Sequence, residues 1–314
     1  MINPYWGQDF FGFFITLFKR ITGSLPLDKL PSDEVQLLAL IGISFACALI
    51  GVFLNLKKMT MLANSISHTV LLGIVLAYVI TFSLSSEFNI DIQTLLLASL
   101  LTAFLTTFLT QLFTNVFKLQ EDASIGLVFT TLFAIGVVLV TVFTRNLHIG
   151  IEAVMGNIDA LDPHDLKLVG MVAGLDLLVI VLCFKEFKIT AFDPALARSL
   201  GISPSIFGHL LMLLTAATCI GAFRAVGVLL VLAFLVGPVL MARLCTNHLK
   251  TLIWLACFLG IACSILGVAL SRHFLSFYHV PLSTAGLVVT LMGLAYLVIL
   301  AIFLRSSRKS TTIV

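Results

Sequence analysis

The sequence predicts an all-α polytopic membrane protein with about eight to nine transmembrane helices, on three observations. Of its 314 residues 60% are hydrophobic and 11% charged, where soluble chains carry about a quarter charged residues. The mean hydropathy is +1.15. The apolar residues also fall into runs long enough to cross about 30 Å of hydrocarbon, and such runs must be helical because the bilayer core offers the backbone no water to bond.

Along the chain, Phe10 to Phe18 is apolar and aromatic but too short to cross, and Lys19 and Arg20 follow at once. It is expected to lie along the membrane as an interfacial helix. Nine candidate spans come next, at 35–56, 60–81, 92–117, 124–144, 166–184, 205–222, 225–244, 251–271 and 283–304. The pair flanking Ala222-Phe-Arg-Ala-Val-Gly227 alternatively forms a short helix plus a re-entrant piece, which leaves eight full crossings. The expected organisation is a tail over 1–34, one transmembrane domain over 35–304 and a C-terminal tail over 305–314.

Charge position sets orientation, because Lys and Arg collect on the cytoplasmic side. Placing 185–204 inside puts eleven of the eighteen basic residues there, from Lys57, Lys58 and Lys118 through Lys185, Lys188, Arg198, Arg243 and Lys250 to Arg305, Arg308 and Lys309. The N-terminus is then external and the C-terminus internal. Lys19, Arg20 and Lys29 run against this, with Asp28, Asp33 and Glu34 close by to balance them. The six cysteines are scattered without C-x-x-C spacing and are expected to be small packed residues rather than a disulfide or metal framework. No removable signal peptide is expected, since no charged n-region and cleavage site accompany an early apolar run. No G-x-x-x-x-G-K-[ST] phosphate loop occurs, so any energy from ATP must come through another polypeptide.

The second apolar run carries Thr60, Asn64, Ser67 and His68 on one helical face. Amide and imidazole groups at that depth must face protein or a wet cavity. Asn64 and His68, one turn apart, offer an oxygen and a nitrogen to one divalent cation, a donor pair suited to manganese, zinc or ferrous iron. The same stripe also fits a polar seam between two helices.

Between two apolar spans lies the polar island Phe192-Asp-Pro-Ala-Leu-Ala-Arg-Ser-Leu-Gly-Ile-Ser-Pro204. Asp193 as cap and Pro194 at the first position start a short helix, and Gly201 ends it. Such a two-turn cytoplasmic helix serves either as a peg for a motor protein or as an ordinary interhelical loop. Further on, Gly237-Pro238 breaks a backbone bond inside an apolar run. That makes either a structural kink or a moving part of a path, and Arg243 at the helix end can reach a lipid headgroup or an acid on a motor.

Other polar residues carry blander expectations. Asp176 inside a span is read as structural, with a cation stop or a protonated acid as the other options. His148, Glu152, Asp159, Asp162, His164 and Asp165 form an outer loop, and His273 and His279 mark a second. His209 and His248 are expected near the cytoplasmic interface.

The stretch Gly51-Val-Phe-Leu-Asn-Leu-Lys-Lys-Met-Thr-Met-Leu-Ala-Asn-Ser-Ile-Ser-His68, closed by Gly73, resembles the signature of the membrane permease subunits of bacterial manganese, zinc and iron ABC importers. Ala63 and Asn64 stand where that family has Gly and Asp. The Ala-x-x-Leu-Gly pattern of Ala197, Leu200 and Gly201 is similar to the coupling helix of this family and of the related cobalamin and siderophore importers, and Val226 to Leu244 matches its Val-Gly-x-Leu-Leu and Pro-Ala-x-x-Ala-Arg segments. The resemblance covers roughly residues 35–304.

It implies a type II ABC importer-like fold and a multi-pass subunit of the bacterial inner membrane, with no catalytic chemistry and no permanently bound cofactor. The cargo is a divalent metal ion. The implied partners are an ABC ATPase, an extracytoplasmic metal-binding protein that meets the outer loops, membrane lipid, and a second permease subunit, identical or paralogous, with no nucleic acid. Because Asn64 lacks the expected charge, a paralogous partner that retains the acid is the expectation. Asn64 and His68 become candidate metal contacts, Thr60, Ser67, Gly237 and Pro238 path or gate residues, and Asp193, Ala197, Leu200, Gly201 and Arg243 contacts to the ATPase. The readings set against this are an ATP-independent channel or secondary transporter, and an intramembrane enzyme, for which no H-E-x-x-H, Ser dyad or paired aspartates are present.

Overall fold

A computed structural model of the chain describes residues 4–22, 31–84, 92–143, 158, 161 and 163–311. Among the described residues there are twelve α-helices and no strand. They are α1 Phe10–Ile21, α2 Ser32–Leu56, α3 Thr60–Leu84, α4 Ile92–Asn115, α5 Glu121–Phe143, α6 Pro163–Leu182, α7 Phe184–Phe192, α8 Pro194–Ser199, α9 Pro204–Val226, α10 Val228–Cys245, α11 Leu249–Tyr278 and α12 Thr284–Thr311.

Seven of these helices are long and apolar enough to cross a membrane, and α6 with α7, bent by 71° at Cys183, makes an eighth. The all-α polytopic fold is therefore as the sequence predicts. As the nine-span reading has them, α9 and α10 are both full-length spans, meeting at Gly227 (φ +77°), and the re-entrant alternative falls away; the break lies instead between α6 and α7, where a single span was expected. In α4 the apolar stretch among the described residues is Leu100–Thr114.

Local chemistry explains the ends. Ser32 opens α2 with Asp33 and Glu34 in its first turn, where the helix dipole favours acids. The tight link from α2 to α3 is a Schellman turn: the Met59 N–H reaches Leu54 O at 2.9 Å and the Lys58 N–H reaches Asn55 O at 3.1 Å, with Lys58 at φ +59°.

The chain divides into two compact units, the first comprising Met1–Val52, Asn157–Ala173 and Ala233–Val314, the second Phe53–Gly156 and Gly174–Leu232. In the first unit helices approach over small residues, as membrane helices do. A methyl group on Gly51 of α2 would strike the Leu235 carbonyl of α10, one on Gly260 of α11 would strike Ser44 and Pro238, and one on Gly267 would strike Val288 of α12. The helix α1 turns Phe13, Thr16 and Arg20 inward while Phe11, Ile15 and Phe18 stay exposed, so it is amphipathic.

Arg20, near the end of α1, is buried. It pairs with Glu34, and the Tyr5 hydroxyl donates to Glu34 Oε1 at 2.7 Å. Burial and the Glu34 carboxylate together push the Tyr5 phenol above its ordinary range. A second pair joins Arg272 of α11, partly exposed, to the buried Asp33. The basic residues that run against the charge asymmetry are thus partly explained, since Arg20 is neutralised by an acid at the start of α2.

In the second unit α4 handles its own polar groups. Thr102, Thr106, Thr107 and Thr110 are all buried, and the hydroxyls of Thr106, Thr107 and Thr110 each bond the carbonyl one turn back at 2.7–2.9 Å. Thr106 also meets Thr69 of α3, hydroxyl to hydroxyl, at 2.9 Å. The α5 helix lies along α3 at Gly136, where a methyl group would come within 3.3 Å of the Leu72 backbone.

Removing the cationic partner of a buried carboxylate such as Asp33 destabilises, by up to about 3–5 kcal/mol. Arg272→Met is accordingly expected to lower the melting temperature of the detergent-purified chain sharply, and the double variant Asp33→Leu/Arg272→Met to recover much of that loss. Equal melting of wild type and Arg272→Met would contradict this packing.

Candidate functional site

The polar stripe is built on α3. Thr60 opens the helix and Asn64 and His68 follow one turn apart, each partly exposed; the Ser67 side chain lies outside the described residues. His68 faces α5, its ring 5.4 Å from Phe129 and 5.8 Å from Phe133, which stack on each other at 5.8 Å. The neighbouring Thr69 turns instead to α4 through Thr106. His68 and Leu72 of α3 therefore lie along α5, which sequence spacing alone does not specify.

Among the described residues no group of three or more His, Cys, Asp or Glu converges. His148, Glu152, Asp159 and Asp162 lie outside the described residues, as does the His164 side chain. His279, left-handed at φ +53°, starts the loop after α11, but His273 is inside the helix, its ring 5.2 Å from Phe277, so only one of the pair marks a loop. His209 bonds the Ser205 carbonyl through Nδ1 at 2.7 Å, and His248 sits exposed at the head of α11.

The polar island forms the helix its residues predict. Asp193 Oδ1 accepts the N–H groups of Ala195 at 3.1 Å and Leu196 at 2.9 Å, and Pro194 occupies the first position, where no donor is lost. The helix α8 ends in a second Schellman turn: the Ile202 N–H reaches Ala197 O at 2.9 Å and the Gly201 N–H reaches Arg198 O at 3.1 Å, with Gly201 at φ +78°. Ala197 is buried beneath the turn. Asp193, Leu200 and Gly201 stay exposed, so α8 is a capped peg with a free outer face.

What seats that peg is α7, an element the sequence reading merged with the preceding span and its loop. Phe187 of α7 is fully buried and packs its ring against Phe53 of α2 and Phe207 of α9, both at 5.5 Å. Phe184 adds an edge contact to Phe53 at 6.1 Å. Lys57 Nζ lies 5.9 Å over the Phe187 ring. Phe184 and Phe187, three apart among lysines in Phe-Lys-Glu-Phe-Lys, are the signal that could have marked a short amphipathic helix. An open cleft of about 380 Å³ lies beside α8, lined among others by Lys57, Lys58, Gln111, Thr190 and Pro194.

In the first unit Gly237 and Pro238 lie within α10, and Gly237 faces Met292 of α12, whose sulfur a methyl group would meet at 3.5 Å. Pro238 is buried against Gly260 of α11. Arg243 stands exposed in the last turn of α10.

The sequence profile of the ABC 3 transport family matches residues 34–303 of this chain. A probable metal transport system membrane protein of Chlamydia muridarum is 40% identical over 306 residues, covering 97% of this chain and 96% of that protein. The zinc transport system membrane protein TroD of Treponema pallidum is 34% identical, over 84% of this chain and 71% of its own. The manganese transport system membrane protein MntD of Bacillus subtilis is 36% identical, over 82% of this chain and 86% of its own. Among solved structures, PsaBC from Streptococcus pneumoniae in complex with Fab superposes with a TM-score of 0.73 at 24% identity, covering 90% of this chain and 95% of that one, a likeness of fold.

Two outcomes follow from the peg and its seat. Asp193→Ala is expected to cost about 1 kcal/mol of cap energy, read as faster amide exchange at Ala195 and Leu196, with Asp193→Ser restoring protection. Burial lowers the Lys57 ammonium to about 8 from an unfolded value of 10.5. The folded chain then binds this proton more weakly than the unfolded one, so stability rises as pH increases from 8 toward 10.5. Melting temperatures across that range should show the rise in wild type and a flatter profile in Lys57→Met.

Proposed function

The chain belongs to the ABC 3 transport family, and on that premise we propose that it is the membrane subunit through which an ATP-driven importer passes a divalent transition-metal cation, with ATP hydrolysed on a separate polypeptide. It is a multi-pass protein of the bacterial cytoplasmic membrane. Manganese, zinc and iron are the candidate cargoes, and first-row metals overlap too much in donor preference for Asn64 and His68 to choose among them.

The observation that carries the coupling part of this reading is α8. A six-residue helix capped by Asp193, stopped by Gly201 and exposed on its outer face is a costly thing to build into an interhelical connection. Phe187 and its aromatic neighbours hold its base. Movement of an ATPase cleft around α8 is thereby passed to α6 and α9 on either side. Asp193, Ala197, Leu200 and Gly201 form the peg in this reading. Arg243 supplies a further cationic contact to the ATPase.

Thr60, Asn64, Ser67 and His68 supply the polar face of the path on α3, and Gly237 and Pro238 are the path or gate residues of α10. Asn64 brings an amide oxygen where a carboxylate would attract a dication more strongly. A second permease subunit, paralogous and bearing the acid, completes the site, and an extracytoplasmic metal-binding protein delivers the ion. The ion is cargo, held briefly; no cofactor is bound.

The test separates path from coupling. In membranes holding the permease, its ATPase, the binding protein and the second permease, His68→Ala should abolish metal uptake while leaving the ATPase bound. Gly201→Val puts a β-branched residue at positive φ, a strain of about 1–3 kcal/mol, and should release the ATPase. Full uptake by both variants would sink both assignments.

A further inference from the structure

Asp176 lies in α6, inside a span, and is fully buried. Its Oδ2 is 2.7 Å from Thr218 Oγ1 of α9, and the same hydroxyl is 2.8 Å from the carbonyl oxygen of Leu214, one turn earlier. A threonine hydroxyl has one hydrogen and two lone pairs. If Asp176 were a carboxylate, both neighbours of that hydroxyl would be acceptors, and its single hydrogen would have to be divided between two short contacts. If Asp176 carries a proton, both contacts are hydrogen bonds: the carboxyl O–H donates to Thr218 Oγ1 and the hydroxyl donates to Leu214 O.

Three further observations agree. Asp176 Oδ1 is buried without a partner, a position far costlier for a charged oxygen than for a neutral carbonyl oxygen. No Lys, Arg or His among the described residues pairs with Asp176, whereas Glu34 and Asp33 are met by Arg20 and Arg272. The titratable side chain brought against it is Cys219, buried next to Thr218, which supplies no positive charge.

We infer that Asp176 is a neutral carboxylic acid whose proton bonds Thr218, and that this bond latches together the two helices that enter and leave the coupling segment. The two residues are 42 apart in sequence, and α7 and α8 lie between them. With α6 and α9 joined by a latch within the span and α7 clamped to α9 by Phe187 and Phe207, a push on α8 moves both flanking helices as one body. Asp176 is thus a positioning residue. The latch's role in transport rests on the coupling reading given above; the protonation does not.

Two measurements test these separately. Infrared difference spectra of the purified full chain, wild type against Asp176→Asn, should show a protonated carboxyl C=O band that the substitution removes. Absence of that band in wild type overturns the inference whatever α8 does. In the assembled transporter, Asp176→Asn keeps shape, neutrality and an N–H for Thr218 and should transport like wild type. Thr218→Val and Asp176→Leu should keep the ATPase bound and hydrolysing while metal moved per ATP falls about five- to tenfold, the worth of about one hydrogen bond. Loss of transport in Asp176→Asn would mean that an ionised carboxylate is needed, as for a cation ligand, and would overturn the latch, as would unchanged coupling in Thr218→Val. Failure of the coupling reading itself would show instead as ATPase release by none of the α8 variants, with the infrared band intact.

Discussion

Nearly every feature of this chain answers to one constraint, that a polar group within the hydrocarbon must bring its partner with it. The backbone meets it by being helical. The threonines of α4 meet it by bonding the carbonyl one turn back, which lets a hydroxyl-rich helix stay buried. Asp33 and Glu34 meet it with Arg272 and Arg20. Asp176 meets it by keeping its proton. On α3, Asn64 and His68 are polar side chains that stay partly exposed, and the proposed path is placed on their face.

The second organising feature is the bend at Cys183. A straight continuation of α6 would carry the chain out of the membrane with nothing to grip. Turning by 71° lays α7 across the ends of α2 and α9, and the buried Phe187 makes that turn a rigid shelf from which α8 projects. Asp193 and Gly201 then limit the peg to less than two turns. Stiffness in the shelf and exposure in the peg are what the proposed docking of an ATPase on α8 calls for.

Much of this was legible in the sequence, because its strongest signals are local. Run length and composition mark the spans, and Asp-Pro at 193–194 with Gly201 marks α8 to the residue. Interrupted helices were harder: Gly227 left two full spans and a re-entrant piece both open, and it separates two full spans, while the true break at Cys183 has no Gly or Pro to announce it. It exists because Phe184 and Phe187 find Phe53 and Phe207, residues more than a hundred positions distant in one case and about twenty in the other. Helical periodicity likewise put Asn64 and His68 on one face but could not tell that Phe129 and Phe133 of α5 would lie against it. Partners chosen across the fold, such as Glu34 for Arg20 and Thr218 for Asp176, are invisible to spacing.

The central claim is that this chain carries metal only when another polypeptide spends ATP. It is tested most directly by loading vesicles with the permease, ATPase, binding protein and second permease, and following radioactive manganese, zinc and iron with ATP or a non-hydrolysable analogue on the side of α8. The account predicts accumulation of one or more of these metals against its gradient with ATP and none with the analogue. Equal uptake under both conditions, or uptake by the permease alone, would contradict it and make the chain a channel or secondary transporter.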